Sequence, residues 1–418
     1  VIGAGGPSDF DGTGVVITGP GSTVSANTGV IVISGIGGTT GEQNQGIRIT
    51  DGAQVQSIGT GPTAAPINIV GTSGEGSNNN DGVQIDGLTT RVSTIDGDII
   101  ITGTAGPLAG ENSHGVKIAT GATVESTGAL SFAGDINIQG TATSGLANDG
   151  VNITGGSLVQ STDGSISING VGTAGSGLSN NGVEISGNST VAASVGGSVN
   201  ITGVAAGTSA NEGIRIDGAN VGSPTGFGPI NLHGNTVFVA GTVTNIGTGS
   251  ITINGDDGVT LANPFTTIQS GSGPLTIDGD FDSNNAGSVT VTDPSVQINS
   301  DAGGIFISGV NAQLQGAVQS VGGGVTLAAP VSLQGDLTIS GTSATFENSV
   351  TGNSRNLTTS GATTFRGNGT ALNSLNVNGD LITDPVTLYR LDSMLNFRAP
   401  STLRLSVRLD PQLRQPAI

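Results

Sequence analysis

A glycine followed by a triplet with apolar first and third residues returns seven times along this chain: VVI after Gly14, IRI after Gly46, VQI after Gly82, VKI after Gly115, VNI after Gly150, VEI after Gly182 and IRI after Gly213. The intervals between these glycines are 32, 36, 33, 35, 32 and 31 residues. Self-similarity at such a period predicts a stack of repeats, because one unit cannot bury its own apolar face and its neighbours must cover it.

Each unit also has an internal order. A lone Val among small polar residues follows the triplet (Val24, Val55, Val92, Val124, Val159, Val191), and then comes a second alternating triplet, as in Ile99-x-Ile101 or Ile166-x-Ile168, with a glycine two residues after it ends. Alternation with β-branched residues means short strands with one face inward. The intervening Gly, Ser, Thr, Asn and Pro supply turns. Three strands and three corners per unit describe one coil of a parallel β-helix, with stretches such as GTAGPLAGENSHG looping out of one corner. Two smaller coils per unit is the alternative, but the three apolar clusters differ in length and would fit equivalent positions poorly. One coil per unit puts Val83, Val116, Val151, Val183 and Ile214 in a single inward column. Ile153→Asp in a central coil should then open the stack locally, by placing a carboxylate in an apolar layer, and Asn152→Asp, on the outward face, should be nearly silent.

Two residues before the repeat glycine stand Asn44, Asn80, Asn148, Asn180 and Asn211, with Ser113, next to Asn112, standing in once. Stacking would set these side chains one above another, each amide donating to the next. The Asn-x-Gly pair also suits a corner with left-handed backbone.

With 74 Gly, 3% aromatics, no Trp and no Cys, the core has to be thin layers of Val, Ile, Leu and Ala. Regular β-branched triplets and a mean hydropathy of +0.11 argue against disorder. No stretch approaches the roughly 20 apolar residues of a membrane helix. The absence of cysteine fits export in an unfolded state, and a start at Val1 without Met or signal peptide suggests a mature chain or a fragment. Net charge is -19, and five of the 11 basic residues (Arg390, Arg398, Arg404, Arg408, Arg414) lie near the carboxy terminus. Such an acidic body repels nucleic acid and anionic membrane.

The chain divides into residues 1–240 with long-period coils, 241–345 with less regular coils, 346–388 with a shorter unit, and an atypical Arg-rich segment 389–418. In the third part, TFENSVTGNSRNLTTSGATTF and TFRGNGTALNSLNV repeat from Phe346 to Phe365. The last segment is a cap on the final coil, a disordered end or an artefact of translation.

Stretches such as GIRITDGAQVQS, GVNITGGSLVQS and GDINIQGTATSG resemble the passenger repeats of large secreted bacterial adhesins, the filamentous-haemagglutinin-like and autotransporter-like proteins. The resemblance covers nearly the whole chain up to about residue 388. It implies an all-β, right-handed parallel β-helix (solenoid), outside a Gram-negative cell or on its outer surface. It also implies adhesion through a host-cell, matrix or glycan receptor, with no nucleic-acid partner and no membrane insertion by this segment. Neither a two-partner secretion domain nor a barrel-forming run of strands is found in the sequence, which suggests an internal piece of a longer polypeptide.

The search for catalytic chemistry is negative: no GxSxG, Walker loop, HExxH or CxxC is present, and no nucleophile is nominated. His114 and His233 read as exposed histidines, the first in a loop and the second just after a strand. Arg48, Lys117 and Arg215 share the middle position of the first triplet with Gln84, Asn152 and Glu184, a mixed column that reads as a solvated face. The metal candidate is Asp278, Asp280 and Asp282, followed by Asn284 and Asn285. Alternating oxygen ligands suit calcium, but the twelfth position of an EF-hand loop would be Val289 rather than Glu. No cofactor is otherwise implied. The expectation is therefore a non-catalytic stalk or binding surface that recognises partners through loops around residues 71–81, 103–114, 140–149 and 170–181. The alternative is a carbohydrate-active β-helix resembling polysaccharide lyases and hydrolases. An ice-binding solenoid would need flat outward Thr arrays, which are absent.

Overall fold

A computed structural model describes residues 1–7, 11–107, 110–143, 145–173, 179–206, 211–223, 225–383, 389–397 and 403–404. The chain forms two compact units, Val1–Gly255 and Asp256–Ile418. Both are parallel β-helices, nearly free of helix.

In the first unit each repeat makes one coil. The coil that starts at Ile47 contributes strands Ile47–Thr50, Gln54–Ser57 and Ile67–Thr72. These pair in parallel with Val83–Asp86, Arg91–Thr94 and Ile99–Thr104 of the next coil. The expected inward column is present: Val83 pairs with Val116, Val116 with Val151, Val151 with Val183 and Val183 with Ile214, and all five are fully buried. A second column runs through Val55, Val92, Val124, Val159 and Val191, and a third through Ile67, Ile99, Ile136 and Ile166. Single-sided alternation in the sequence thus becomes a dry core of stacked aliphatic side chains, which supplies the main stabilisation.

The repeat glycine is needed for close approach rather than for left-handed backbone. Gly150 has no positive φ, yet a Cβ there would lie 2.6 Å from the Gly182 carbonyl oxygen and 2.8 Å from the Gly170 carbonyl carbon. The glycine two residues after the second triplet, inside the third strand, faces the same gap from the other side: a Cβ on Gly170 would strike the Gly182 carbonyl group. The two glycine positions let the first and third strands meet main chain to main chain. The left-handed residue of this corner lies one place before the asparagine, at Gln43, Asn79, Asn112, Ala147 and Ser179, with φ between 51° and 64°.

The asparagine column is a ladder, but of a different kind from the one expected. Instead of amide donating to amide, each side-chain oxygen accepts the main-chain N–H of the equivalent residue one coil earlier. Asn44 N–H donates to Asn80 Oδ1 (2.8 Å), Ser113 N–H to Asn148 Oδ1 (2.8 Å), Asn148 N–H to Asn180 Oδ1 (2.8 Å) and Asn180 N–H to Asn211 Oδ1 (2.9 Å). The Nδ2 groups turn to loop carbonyls, as Asn148 Nδ2 does to Gly110 O at 2.6 Å. A corner cannot satisfy its own main-chain donors, so the next coil's side chain does it.

The last coils of this unit are short. Ile214–Ser223 is one strand that pairs with both Val183–Ser186 and Thr190–Ala193, and its own partner Val237 follows without a long loop. The corner there is reduced to an irregularity between Asp217 and Asn220.

The second unit starts with coils built from Val259–Leu261, Thr267–Ser270 and Leu275–Asp278. It then contracts to a 19-residue repeat in which Phe346 and Phe365 stack with ring centroids 4.5 Å apart and 6° between planes. Of the atypical tail, Tyr389–Phe397 pairs in parallel with Gly369–Asn378, and Leu403–Arg404 with Leu381–Thr383. These stretches continue the strand ladders; the rest of 389–418 lies outside the described residues. Among the described residues no helix is long and apolar enough to cross a membrane.

Candidate functional site

A second polar ladder runs one residue beyond the asparagines, immediately before the repeat glycines. Its members include Asp81, His114, Asp149, Asn181 and Glu212, and its bonds run in the opposite sense. His114 N–H donates to Asp81 Oδ1 (2.8 Å), Asp149 N–H to His114 Nδ1 (3.1 Å), Asn181 N–H to Asp149 Oδ1 (2.8 Å) and Glu212 N–H to Asn181 Oδ1 (2.9 Å). Together the two ladders clamp the corner from both directions.

His114 is therefore not an exposed loop histidine: it is 5% exposed and acts as a rung. Because its Nδ1 accepts a main-chain N–H, its ring proton belongs on Nε2. The outward face of the first strands is likewise not simply solvated. Asn152 is 8% exposed and donates through Nδ2 to Asp149 Oδ2 at 2.7 Å. Glu184 Oε2 accepts from Asn181 Nδ2 at 2.9 Å.

These residues surround an open groove of about 520 Å³ across successive coils. Lys117, Asn152, Glu184 and Arg215 form its floor, in register from strand to strand. His114 and Asp149 form one side, and Thr154 and Asp217 the other. The left-handed corner residues Asn112, Ala147 and Ser179 make the rim. The cations at its two ends face carboxylates, Arg215 at hydrogen-bond distance and Lys117 farther off. Lys117 Nζ is 4.0 Å from Asp81 Oδ2, while Arg215 lies 2.6 Å from Asp217 and 3.6 Å from Glu212 and stacks 4.4 Å above the Phe238 ring. Burial pushes the Glu184 pKa above its usual range and the Asp149 charge adds to the effect; a hydrogen bond with Ser186 and the charge of Arg215 oppose it.

The sequence reading weighed the outward column and each histidine separately and missed their convergence. The available signal was the residue before each repeat glycine, where Gln45, Asp81, His114, Asp149, Asn181 and Glu212 each offer a side-chain acceptor.

The loops expected to protrude are stacked where they are described. Gln43 N–H donates to Asn78 O, Asn79 N–H to Glu111 O and Asn112 N–H to Leu146 O, so the loop of one coil lies on the loop of the next. Parts of the loops 103–114, 140–149 and 170–181 fall outside the described residues.

In the metal candidate, Asp278 ends a strand and Asp280 and Asp282 lie in the turn after it. Two of the three close the turn: Asp278 Oδ1 accepts the N–H of Asp280 (3.1 Å), and Asp282 accepts the N–H and Nδ2 of Asn284 (3.3 and 2.9 Å), while Asp280 Oδ1 is buried with no hydrogen-bond partner among the described residues. Among the described residues no group of three His, Cys, Asp or Glu side chains is arranged to hold a metal ion. His233 is half-buried in the strand Ile230–Gly234, in the second triplet's sheet and apart from the groove-lining residues.

Compared with known proteins, the chain matches no family model, no curated protein and no solved structure.

Proposed function

We propose that the chain is a non-catalytic structural and adhesive segment of a secreted or surface-exposed bacterial protein, of the kind its repeats resemble. The observation that carries this reading is the constancy of the strand register from Ile47 to Ile214 while the corner between the second and third strands takes up the large differences in coil length, its longer forms holding the short helical turns Gly61–Thr63 and Leu130–Phe132. A stack with a fixed core and a corner free to vary, which in its longer forms exposes Ile58, Leu130 and Phe132, is suited to presenting a recognition surface at a distance. No cofactor is proposed.

A carbohydrate-active reading draws on Glu184 and Asp149 as neighbouring carboxylates. Glycoside hydrolysis asks for one carboxyl to protonate and a second to attack or activate water. Here each oxygen of Asp149 already accepts one hydrogen bond, Oδ1 from Asn181 N–H and Oδ2 from Asn152 Nδ2, which weakens Asp149 as a base or nucleophile while leaving each oxygen able to accept a ligand hydroxyl. That favours holding a ligand over transforming it.

Fluorescently labelled chain incubated with cultured cells and with extracellular matrix tests the proposal. Saturable, salt-sensitive retention is expected, and no retention on any such surface would contradict it.

A further inference from the structure

We infer that the groove between Lys117 and Arg215 is a binding subsite for a neutral saccharide, seated across consecutive coils with its hydroxyls on Asn152, Asp149 and Glu184. This rests on the adhesive reading and adds to it a ligand class at the asparagine corner.

The site is built rather than incidental. His114, Asp149 and Asn152 are 5%, 2% and 8% exposed, and their positions are fixed by the ladder bonds that hold the coils together. Its volume falls in the range of about 300–1,000 Å³ usual for small-molecule sites.

The polar groups are mixed at short range. Amide and imidazole donors alternate with carboxylate acceptors, which suits vicinal hydroxyls, since each hydroxyl both donates and accepts. Parallel coils repeat at about 4.8 Å, close to the length of one hexose unit in an extended chain, so successive floor residues can meet successive sugar units.

Charge selects against acidic ligands. Arg215 is paired with Asp217 and Glu212, Lys117 lies 4.0 Å from Asp81 Oδ2, and Asp149 and Glu184 lie between the two cations. The lining carries two cations, Lys117 and Arg215, against three carboxylates, Asp149, Glu184 and Asp217, and both this excess and the chain's net charge of -19 oppose a uronate, sulfate or phosphate.

The test is calorimetric titration of the intact chain with short neutral oligosaccharides, β-1,4-linked gluco-, manno- and N-acetylglucosamine oligomers, and with oligogalacturonate as the acidic comparison. At least one neutral series should bind and oligogalacturonate should not. Asn152→Ala and Glu184→Gln should each weaken binding by about tenfold, the equivalent of one lost hydrogen bond to a charged or well-placed group. Asn137→Ala, on the third strand's outward face, should leave binding unchanged. Unfolding midpoints of all variants separate loss of binding from loss of fold. If the chain adheres to cells but no neutral oligosaccharide binds, or binding ignores both groove substitutions, the subsite is wrong and the adhesive reading stands. If it binds neither cells nor sugars, both fail.

Discussion

Asp149 Oδ1 accepts the main-chain N–H of Asn181 at 2.8 Å, so a side chain that lines the groove is also a rung between two coils. Recognition and stacking share the same atoms here. Asp149→Ala would strand the buried Asn181 N–H and should cost about 1–3 kcal/mol locally. Asp149→Asn keeps an acceptor of the same shape and should cost far less. Hydrogen exchange at the Asn181 amide reads the difference directly; equal protection in the two variants would remove the ladder from the account.

Main-chain contact between the first and third strands sets a second expectation. Gly150→Ala places a methyl 2.6 Å from the Gly182 oxygen, and such overpacking should destabilise by about 1–3 kcal/mol. Gly156→Ala meets no atom within 4 Å but has φ near 75°, so its cost should be backbone strain of about 1–2 kcal/mol, without displacement of neighbouring strands. Denaturation midpoints together with amide shifts in the adjoining coils distinguish the two, because only the first should perturb Val171 and Gly182.

Ile153 is fully buried in a central coil, and Ile153→Asp should open that coil at a cost of several kcal/mol, on the order of 3–5 for an unpaired buried charge. Asn152→Asp, once expected to be silent, should also destabilise. It replaces the donor to Asp149 Oδ2 with a third carboxylate beside Asp149 and Glu184. Thermal unfolding should rank Ile153→Asp below Asn152→Asp and both below the unsubstituted chain. A silent Asn152→Asp would mean that the groove is wetter and looser than its burial implies.

Glu184 gives a pH signature. Its pKa is raised in the folded chain, so the folded form holds the proton more tightly than the unfolded one. Its penalty is absent below the ordinary carboxylate range and develops as pH rises through that range towards the raised value. Glu184→Gln should therefore gain stability relative to the unsubstituted chain on going from acidic to neutral pH. Unfolding midpoints against pH check this, and a gain confined to acidic pH would reverse the sign of the argument.

The fold was legible because a β-helix repeats its own evidence of burial: one apolar-x-apolar triplet is ambiguous, but seven in register predict a column, and the paired series from Val83 to Ile214 is that column. The asparagine row was legible as a ladder, but its bonding was not, since sequence does not show that Asn148 N–H points at Asn180 Oδ1. The groove was hidden for a different reason. His114, Asp149, Asn152, Glu184 and Arg215 are spread over some hundred residues, and each looks ordinary until coil stacking brings them together. In the run Asp278, Asp280 and Asp282, the sequence shows the carboxylates but not that Asp278 and Asp282 close the turn while Asp280 Oδ1 is buried without a partner among the described residues.

The most direct test of the central claim, adhesion without turnover, is prolonged incubation of the intact chain with a glycan-bearing cell surface, following bound protein and soluble sugar together. The account predicts that the chain stays on the surface at a saturable level while no new reducing or unsaturated sugar ends appear. Steady release of soluble sugar fragments, abolished by Glu184→Gln, would contradict it and make the groove an active site.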